Sequence, residues 1–509
     1  MTTSKKLLCL ILASIFAVSL AACGKGGGVD TKDTGETEEA FDLGDLDYKG
    51  ATFTIHSSTN SDLESYTSSN YLIQGADEIV GDKASDSALQ RNKKVEQDLN
   101  IKLNFIEATF DYTDVVPGIR EFIKAGADDV QLIINDMFCL QLTPEGLFYD
   151  ALYGKYFDFS QNWWYDGLME SASLNSNTRY MLAGDFFIDV TRHTHCLLMN
   201  KDYYTEIGCD PDSVYQMVRD GKWTLDSLYT IVKGGEDGTH STYQDVQGNH
   251  KRDRRDRWGL VLCQWWGPMI PFLVTSDPGY ISRDEKGYPE ITVNNPRSVD
   301  MCEKLTALLN AEETAVGIHN SNQDCIDSFV EGNVLFLTYQ RLGSLESEIF
   351  ANADLNFAIL PYPKLDEMQE NYISTVHDTT EMGFIPVTLA FKDLEFVSAV
   401  VEYLSRETAE VVMPKYYEST LKIRYARESA NAEMIQLIHD SYGNTFPIAW
   451  AFPGDVNIMT YSFYDAISKN VSTFASYYRA YENSAKTALA NTIAAYEEVR
   501  EEFEAQIRK

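Results

Sequence analysis

The 509 residues carry 77 Asp and Glu against 42 Lys and Arg, a formal charge of −35, with 44% hydrophobic and 12% aromatic residues. That acid excess argues against nucleic-acid partners, which need a basic footprint, and against adhesion to anionic lipid through a charged face. The apolar share is that of a packed globular protein rather than a disordered one, and the length accommodates two sizeable domains.

At the start of the chain, Lys5 and Lys6 precede an apolar run from Leu7 to Ala22, shorter than the roughly 20 residues a membrane-spanning helix needs. A positive head, an apolar middle and small residues before a cut site predict a secretory signal peptide over residues 1–22. Leu20-Ala21-Ala22-Cys23 resembles the lipobox of bacterial lipoproteins. The resemblance implies cleavage before Cys23 and lipid on that cysteine, hence an anchor on the extracellular face of a cell membrane. Residues 23–46 are glycine-rich and then acidic, too poor in apolar surface to order themselves, and read as a flexible tether.

"ATFTIHSS" reads as a first strand, being β-branched and aromatic. "SDSALQRNKKVEQDLN" has helical spacing with Ser85 or Asp86 as its cap. "IKLNFIEA" alternates as a second strand, "YTDVVPGIREFIKAG" predicts a helix containing a turn, and "DVQLIIND" is the continuous apolar run of a strand buried on both faces. The alternating order predicts an α/β layer with a mostly parallel sheet. Ligands in such sheets sit at the carboxyl ends of strands, which points at His56 to Asn60 and at Asn135-Asp136.

A second block follows. "RYMLAGDFF" and "HTHCLLMNKDYY" read as strands, "TLDSLYTIVKGG" and "SVDMCEKLTALLN" as helices, and "RWGLVLCQWWG", "NVLFLTYQ" and "LNFAILPYP" as further strands. Beyond Pro386, "LEFVSAVVEYLSRETAEVVM" is strongly helical, and Phe463 to Lys509 is nearly all helical without proline.

The ordered set "VEQDLNIKLNF", "DVQLIIND…EGLFYDAL", "MNKDYYTEIG", "FVEGNVLFLTYQ" and "NFAILPYPKLDEMQENY" resembles the extracellular solute-binding lipoproteins of ABC importers, in the carbohydrate-handling (family 1) branch. The resemblance implies a two-lobed, type II periplasmic-binding-protein-like α/β fold with a hinge and extra C-terminal helices. Lobe 1 is expected over 47–157 plus 375–412, and lobe 2 over 158–374 plus 413–509. It further implies a monomer without cofactor that captures a solute between the lobes and delivers it to an ABC permease. No bond is broken.

Sugars offer C–H faces to aromatic rings and hydroxyls to polar groups. Trp265 and Trp266, after the strand "GLVLC", are therefore candidates, with one of the two facing ligand because neighbours on a strand point opposite ways. Trp450 in an aromatic loop is another, while Trp163 and Trp164 beside the first crossing brace the hinge or line the cleft. Asp185 is placed at a strand tip. Thr191, His193 and His195 are placed on one side of a strand, with His193 the favoured polar contact by resemblance and a His193–His195 metal pair as the alternative. Asn135, Tyr339, Gln340, Arg341 and Asp378 complete the set, and Arg192 or Arg341 offers a basic pocket should the solute be anionic.

Asp245, Gln247, Asn249, Asp253 and Asp256 fall at calcium-loop positions, but His250 replaces the turn glycine and five basic residues crowd the loop, so it reads as an exposed loop without metal. Cys139, Cys196, Cys209, Cys263, Cys302 and Cys325 form no C-x-x-C pair, and several sit in apolar contexts, as small core residues do. Two other functions stay open on the residues alone: a surface glycan-binding lipoprotein without a permease, and a lipid-anchored glycan-degrading enzyme using two carboxyl groups.

Overall fold

The computed structural model describes residues 46–60, 70–76, 78–110, 114–126, 128–236, 238–418, 429–450, 458–471 and 474–507. The signal peptide, Cys23 and nearly all of the tether lie outside the described residues.

Two sheets organise the chain from residue 45 onward, which forms one compact unit. The first contains β1 (Ala51–Asn60), β2 (Ile101–Phe110), β3 (Leu132–Asp136) and β11 (Glu381–Phe384), in the order β11-β3-β1-β2. β1 is parallel to both β2 and β3, whereas β11 runs antiparallel to β3. Phe53 and Ile55 point one way into the core, and all five residues of β3 are buried. Its apolar run is thus that of a central strand covered on both faces. The helix Lys83–Leu99 links β1 to β2 and takes its cap from Asp82, whose carboxylate accepts from Ser85 N at 2.8 Å. The expected caps do other work: Asp86 accepts instead from the amides of Val80 and Gly81.

The second sheet is built from β4 (His195–Asn200), β5 (Trp258–Leu262), β8 (Thr314–Val316), β9 (Val334–Arg341) and β10 (Phe357–Leu360), in the order β10-β4-β9-β5-β8. β5 is parallel to β8 and β9, and β4 is antiparallel to β9 and β10. A hairpin of β6 (Ile281–Arg283) and β7 (Pro289–Ile291) stands apart from it. The ends of β5 and β9 therefore lie on the same side as the start of β4. The segments 137–194 and 361–380 run between the two sheets.

Several expectations are corrected here. "RYMLAGDFF" forms no strand among the described residues; it is a buried irregular segment pinned by single bridges, Leu182 to Gly383 and Trp164 to Gly184. Asp189–Arg192 is one helical turn with His193 at its end, so Thr191 and His193 do not share a strand face with His195. Trp265 and Trp266 open the helix Trp266–Thr275 rather than end a strand.

The C-terminal helix Phe474–Ile507 has 34 residues, about 50 Å at 1.5 Å per residue. At its start Phe474 stacks on Phe463 at 4.1 Å. Near its end Phe503 lies among Tyr149, Tyr153 and Phe391, at 5.2, 5.6 and 5.6 Å. Tyr149 follows β3 and Phe391 follows β11, so this helix does not belong to the second lobe alone. It lies along elements that flank both sheets.

Candidate functional site

The register of β4 against β9 sets His195 opposite Arg341. Just before β4, Thr194 bridges to Val376, and the amides of His195 and His377 donate to Thr375 O and His193 O at 2.9 and 3.0 Å. This zips the returning segment 375–380 onto the mouth of the second sheet and delivers His377 to the end of β9. There His377 Nε2 meets Tyr339 Oη at 2.9 Å, and its Nδ1 lies 2.9 Å from Asp378 Oδ1. The rings of His195, Tyr339 and His377 form a triangle with each pair of centroids 5.7 Å apart. The Arg341 guanidinium stands over the Tyr339 ring at 5.8 Å.

Tyr339 has a φ of 59°, a left-handed conformation that tyrosine seldom adopts and that tends to survive where surrounding structure enforces it. Its hydroxyl reaches the first turn of the helix Trp266–Thr275, where a Cβ on Gly267 would come within 2.8 Å of Oη. Any side chain at 267 would therefore have to displace the end of the Tyr339 ring. Trp265, at the head of that helix, is half-buried, while the Trp266 ring packs edge-on against Tyr464 at 5.3 Å.

Burial pushes the imidazoles of His193, His195 and His377 below the ordinary histidine range, with neighbouring positive groups adding to the effect. These rings are neutral at pH 7. Burial raises the Asp378 carboxyl, but the adjoining His377 and Arg341 outweigh it and hold Asp378 ionised. In the first sheet Asn135-Asp136 end β3, whereas His56 lies in the middle of β1 with its ring against Phe122 at 4.5 Å, so the expectation that it marks a strand end is not met. The buried atoms His56 Nδ1, Asn135 Nδ2 and Asp136 Oδ2 have no hydrogen-bond partner, nor has His195 Nδ1. Unsatisfied buried polar atoms are costly and mark a strain or binding role. His195, Tyr339, His377, Asp378 and Arg341 give donors and acceptors in a fixed array beside aromatic faces, a surface suited to a neutral polyhydroxylated molecule.

Other predicted residues sit elsewhere. Asp185 accepts from Tyr165 Oη, which also contacts Thr191 Oγ1 and His439 Nε2 at 3.2 and 3.0 Å. Asp185 and Asp440 overcome burial and push His439 up to about 9. Arg192 is engaged by Glu346 and Asp189, so it forms no basic pocket for a solute. Trp163 and Trp164 brace: both indoles donate to Glu402, at 2.7 and 2.9 Å. Trp450 is 1% exposed and donates to Ala172 O at 2.7 Å with its ring stacked on Phe446. It is a core residue, not a ligand contact. Trp450→Ala is expected to lose about 3–5 kcal/mol of stability in denaturant unfolding; a loss below about 1 kcal/mol would contradict that placement.

In the loop 245–256, Asp245 accepts from the amides of Asn249 and His250, and Asp256 from those of Val246 and Asp253. These carboxylates organise turns. No group of three or more His, Cys, Asp or Glu among the described residues is arranged to hold a metal ion, and the six cysteines from Cys139 to Cys325 are free thiols. A groove of about 770 Å³, lined by Arg219, Tyr372, Glu433 and Asp440 among others, contains none of the predicted residues. Sequence reasoning missed His377 and Gly267. The adjacency "HD" at 377–378 was a signal for the first; nothing in the sequence marked the second.

The chain matches no protein-family model and no curated protein. Solved structures share its fold. An ABC transporter solute-binding protein from Thermotoga lettingae, bound with α-D-tagatose, is 15% identical with a TM-score of 0.52, covering 86% of this chain and all of that one. A family 1 extracellular solute-binding protein from Bifidobacterium longum subsp. infantis is 14% identical with a TM-score of 0.51, over 88% of this chain and 99% of that one. A cyclo/maltodextrin-binding protein complexed with maltotetraose is 11% identical with a TM-score of 0.50, over 88% and 97%. At such identities the likeness is one of fold: the chain has the two-lobed architecture of solute-binding proteins.

Proposed function

We propose that this chain is the solute-capturing component of an ABC importer, a binding protein rather than an enzyme. It takes a sugar or oligosaccharide between the two sheets, closes by a hinge motion and releases its cargo to a membrane permease. It acts as a monomer on the extracellular face of the cell membrane, held there by lipid on Cys23. The observation that carries the reading is the His195–Tyr339–His377 triangle at the strand ends of the second sheet, set on a fold shared with sugar-binding proteins. Neutral imidazoles and a tyrosine hydroxyl match sugar hydroxyls, and the half-buried Trp265 offers a ring face nearby.

Thermal melting of residues 24–509 against mono- and oligosaccharides, with amino acids and peptides included, tests this. A ligand that binds only the folded state adds about 2.7 kcal/mol at a hundredfold excess over Kd. We expect a shift with one sugar class that shrinks in Trp265→Ala. A shift with a peptide or amino acid alone would refute the carbohydrate assignment and leave the fold intact.

A further inference from the structure

The contacts of Tyr339 have a direction. His377 Nδ1 faces the Asp378 carboxylate at 2.9 Å, and the Thr379 hydroxyl and amide approach the same nitrogen at 2.9 and 3.3 Å. The amide at 3.3 Å would suit an unprotonated Nδ1. The carboxylate decides against it, because a lone pair on Nδ1 would oppose a full negative charge at closer range, whereas an N–H donating to an ionised acceptor makes the stronger bond. The proton therefore sits on Nδ1. In a neutral imidazole the other nitrogen is then an acceptor, so Nε2 takes the proton of Tyr339 at 2.9 Å. With its own proton committed, the Tyr339 oxygen has only acceptor capacity left.

We propose that Asp378 and His377 act as positioning residues that fix Tyr339 as a hydrogen-bond acceptor, so that the cleft selects solutes presenting a hydroxyl donor at this point. The assignment rests on the sugar-binding reading above and adds the sense of one contact to it. Two further observations agree. Tyr339 is held at a φ of 59°, a conformation a freely placed tyrosine would leave. Gly267 leaves the space that a side chain would close over the hydroxyl. The relay also spans the fold: Tyr339 lies near the end of β9, while His377 and Asp378 ride on the segment returning toward the first sheet.

The groups facing His377 are Asp378 and Thr379 on its own segment, Tyr339 and Arg341 from β9, and His195 at the start of β4, with His193 just before it. Only Asp378 favours a second proton on the ring; burial and Arg341 oppose it. The relay is thus intact at neutral pH and reverses only under acid, when Nε2 becomes a donor.

Nitrogen-15 NMR of the labelled, ligand-free chain at pH 7.5 tests the relay without any sugar, with His377 assigned by its absence in His377→Gln. The expected spectrum shows Nδ1 protonated and Nε2 unprotonated; a protonated Nε2 would overturn the proposal. In Asp378→Asn the amide can donate to Nδ1, and the tautomer should invert. D-tagatose, maltose, maltotriose and maltotetraose are the binding probes. For any that binds, Tyr339→Phe and Asp378→Asn should each weaken affinity about tenfold or more, and the double variant should be little worse than either alone. Independent, additive losses would overturn the relay. If none of the four binds, it is the carbohydrate reading that fails, and the tautomer still decides the relay.

Discussion

Arg192→Met is expected to destabilise the chain by about 3–5 kcal/mol. Arg192 is 1% exposed, and its guanidinium forks onto Glu346, with Nε to Oε1 at 2.9 Å and Nη2 to Oε2 at 3.0 Å. Nη1 donates to Asp189 Oδ1 at 3.1 Å, and Tyr416 donates to Glu346 at 2.7 Å. Removing the cation strands two carboxylates that water does not reach well. The strain spreads further, because burial and the adjacent Asp189 already push Glu381 well above the carboxylate range, and Arg192 is what restrains it. Arg192→Lys keeps the charge but not the two-pronged geometry, and should recover only part of the loss. Urea unfolding with an unchanged m value measures both. A loss for Arg192→Met below about 1 kcal/mol would mean that the pair contributes no more than a surface ion pair does.

The second large effect is a dependence on pH at Glu402. This carboxyl is fully buried and accepts from Trp163, Trp164 and the Asp158 amide, and among the described residues no cation pairs with it. Burial outweighs those three donors and pushes it up to about 7 from 4.5. The folded chain therefore binds a proton here over a range where the unfolded chain has lost it. Stability from this group is complete below pH 4.5 and drains away as pH rises through 7, by at most about 3 kcal/mol. Glu402→Gln, which cannot ionise, should flatten that part of the curve. Denaturant unfolding at pH 5, 6, 7 and 8 decides it: parallel declines in wild type and variant would sink the assignment.

Much of the fold was legible because periodicity survives in regular elements. β1, β3, β9 and the helix Pro296–Leu309 each carry an unbroken local pattern that packing reinforces. "RYMLAGDFF" has the composition of a strand, but its backbone partners are scattered: Tyr165 donates to Ala183, and Leu182 pairs with Gly383. No local pattern encodes such contacts. The turn Asp189–Arg192 has the same cause, since its arginine is tied to Glu346, 154 residues away. Trp450 and Trp265 both stand in aromatic stretches, and what separates them is the carbonyl of Ala172, distant in sequence. Tyr339 and Asp378 were individually visible as candidates. That His377 joins them could be known only once the return segment was seen to cross the mouth of the second sheet.

The helix Phe474–Ile507 would set a mechanical limit on the hinge motion proposed above. A rod seated at both ends permits the two halves to swing only as far as one seat can slip. The seats are unequal: Phe474 and Phe463 are sealed from solvent, whereas Tyr153 and Phe391 around Phe503 are 39% and 37% exposed. Any slippage during closure is expected at the Phe503 seat. In the hinge motion proposed above, the amplitude of opening is then expected to depend on the partly exposed rings around Phe503, and not only on the crossing segments where the chain bends.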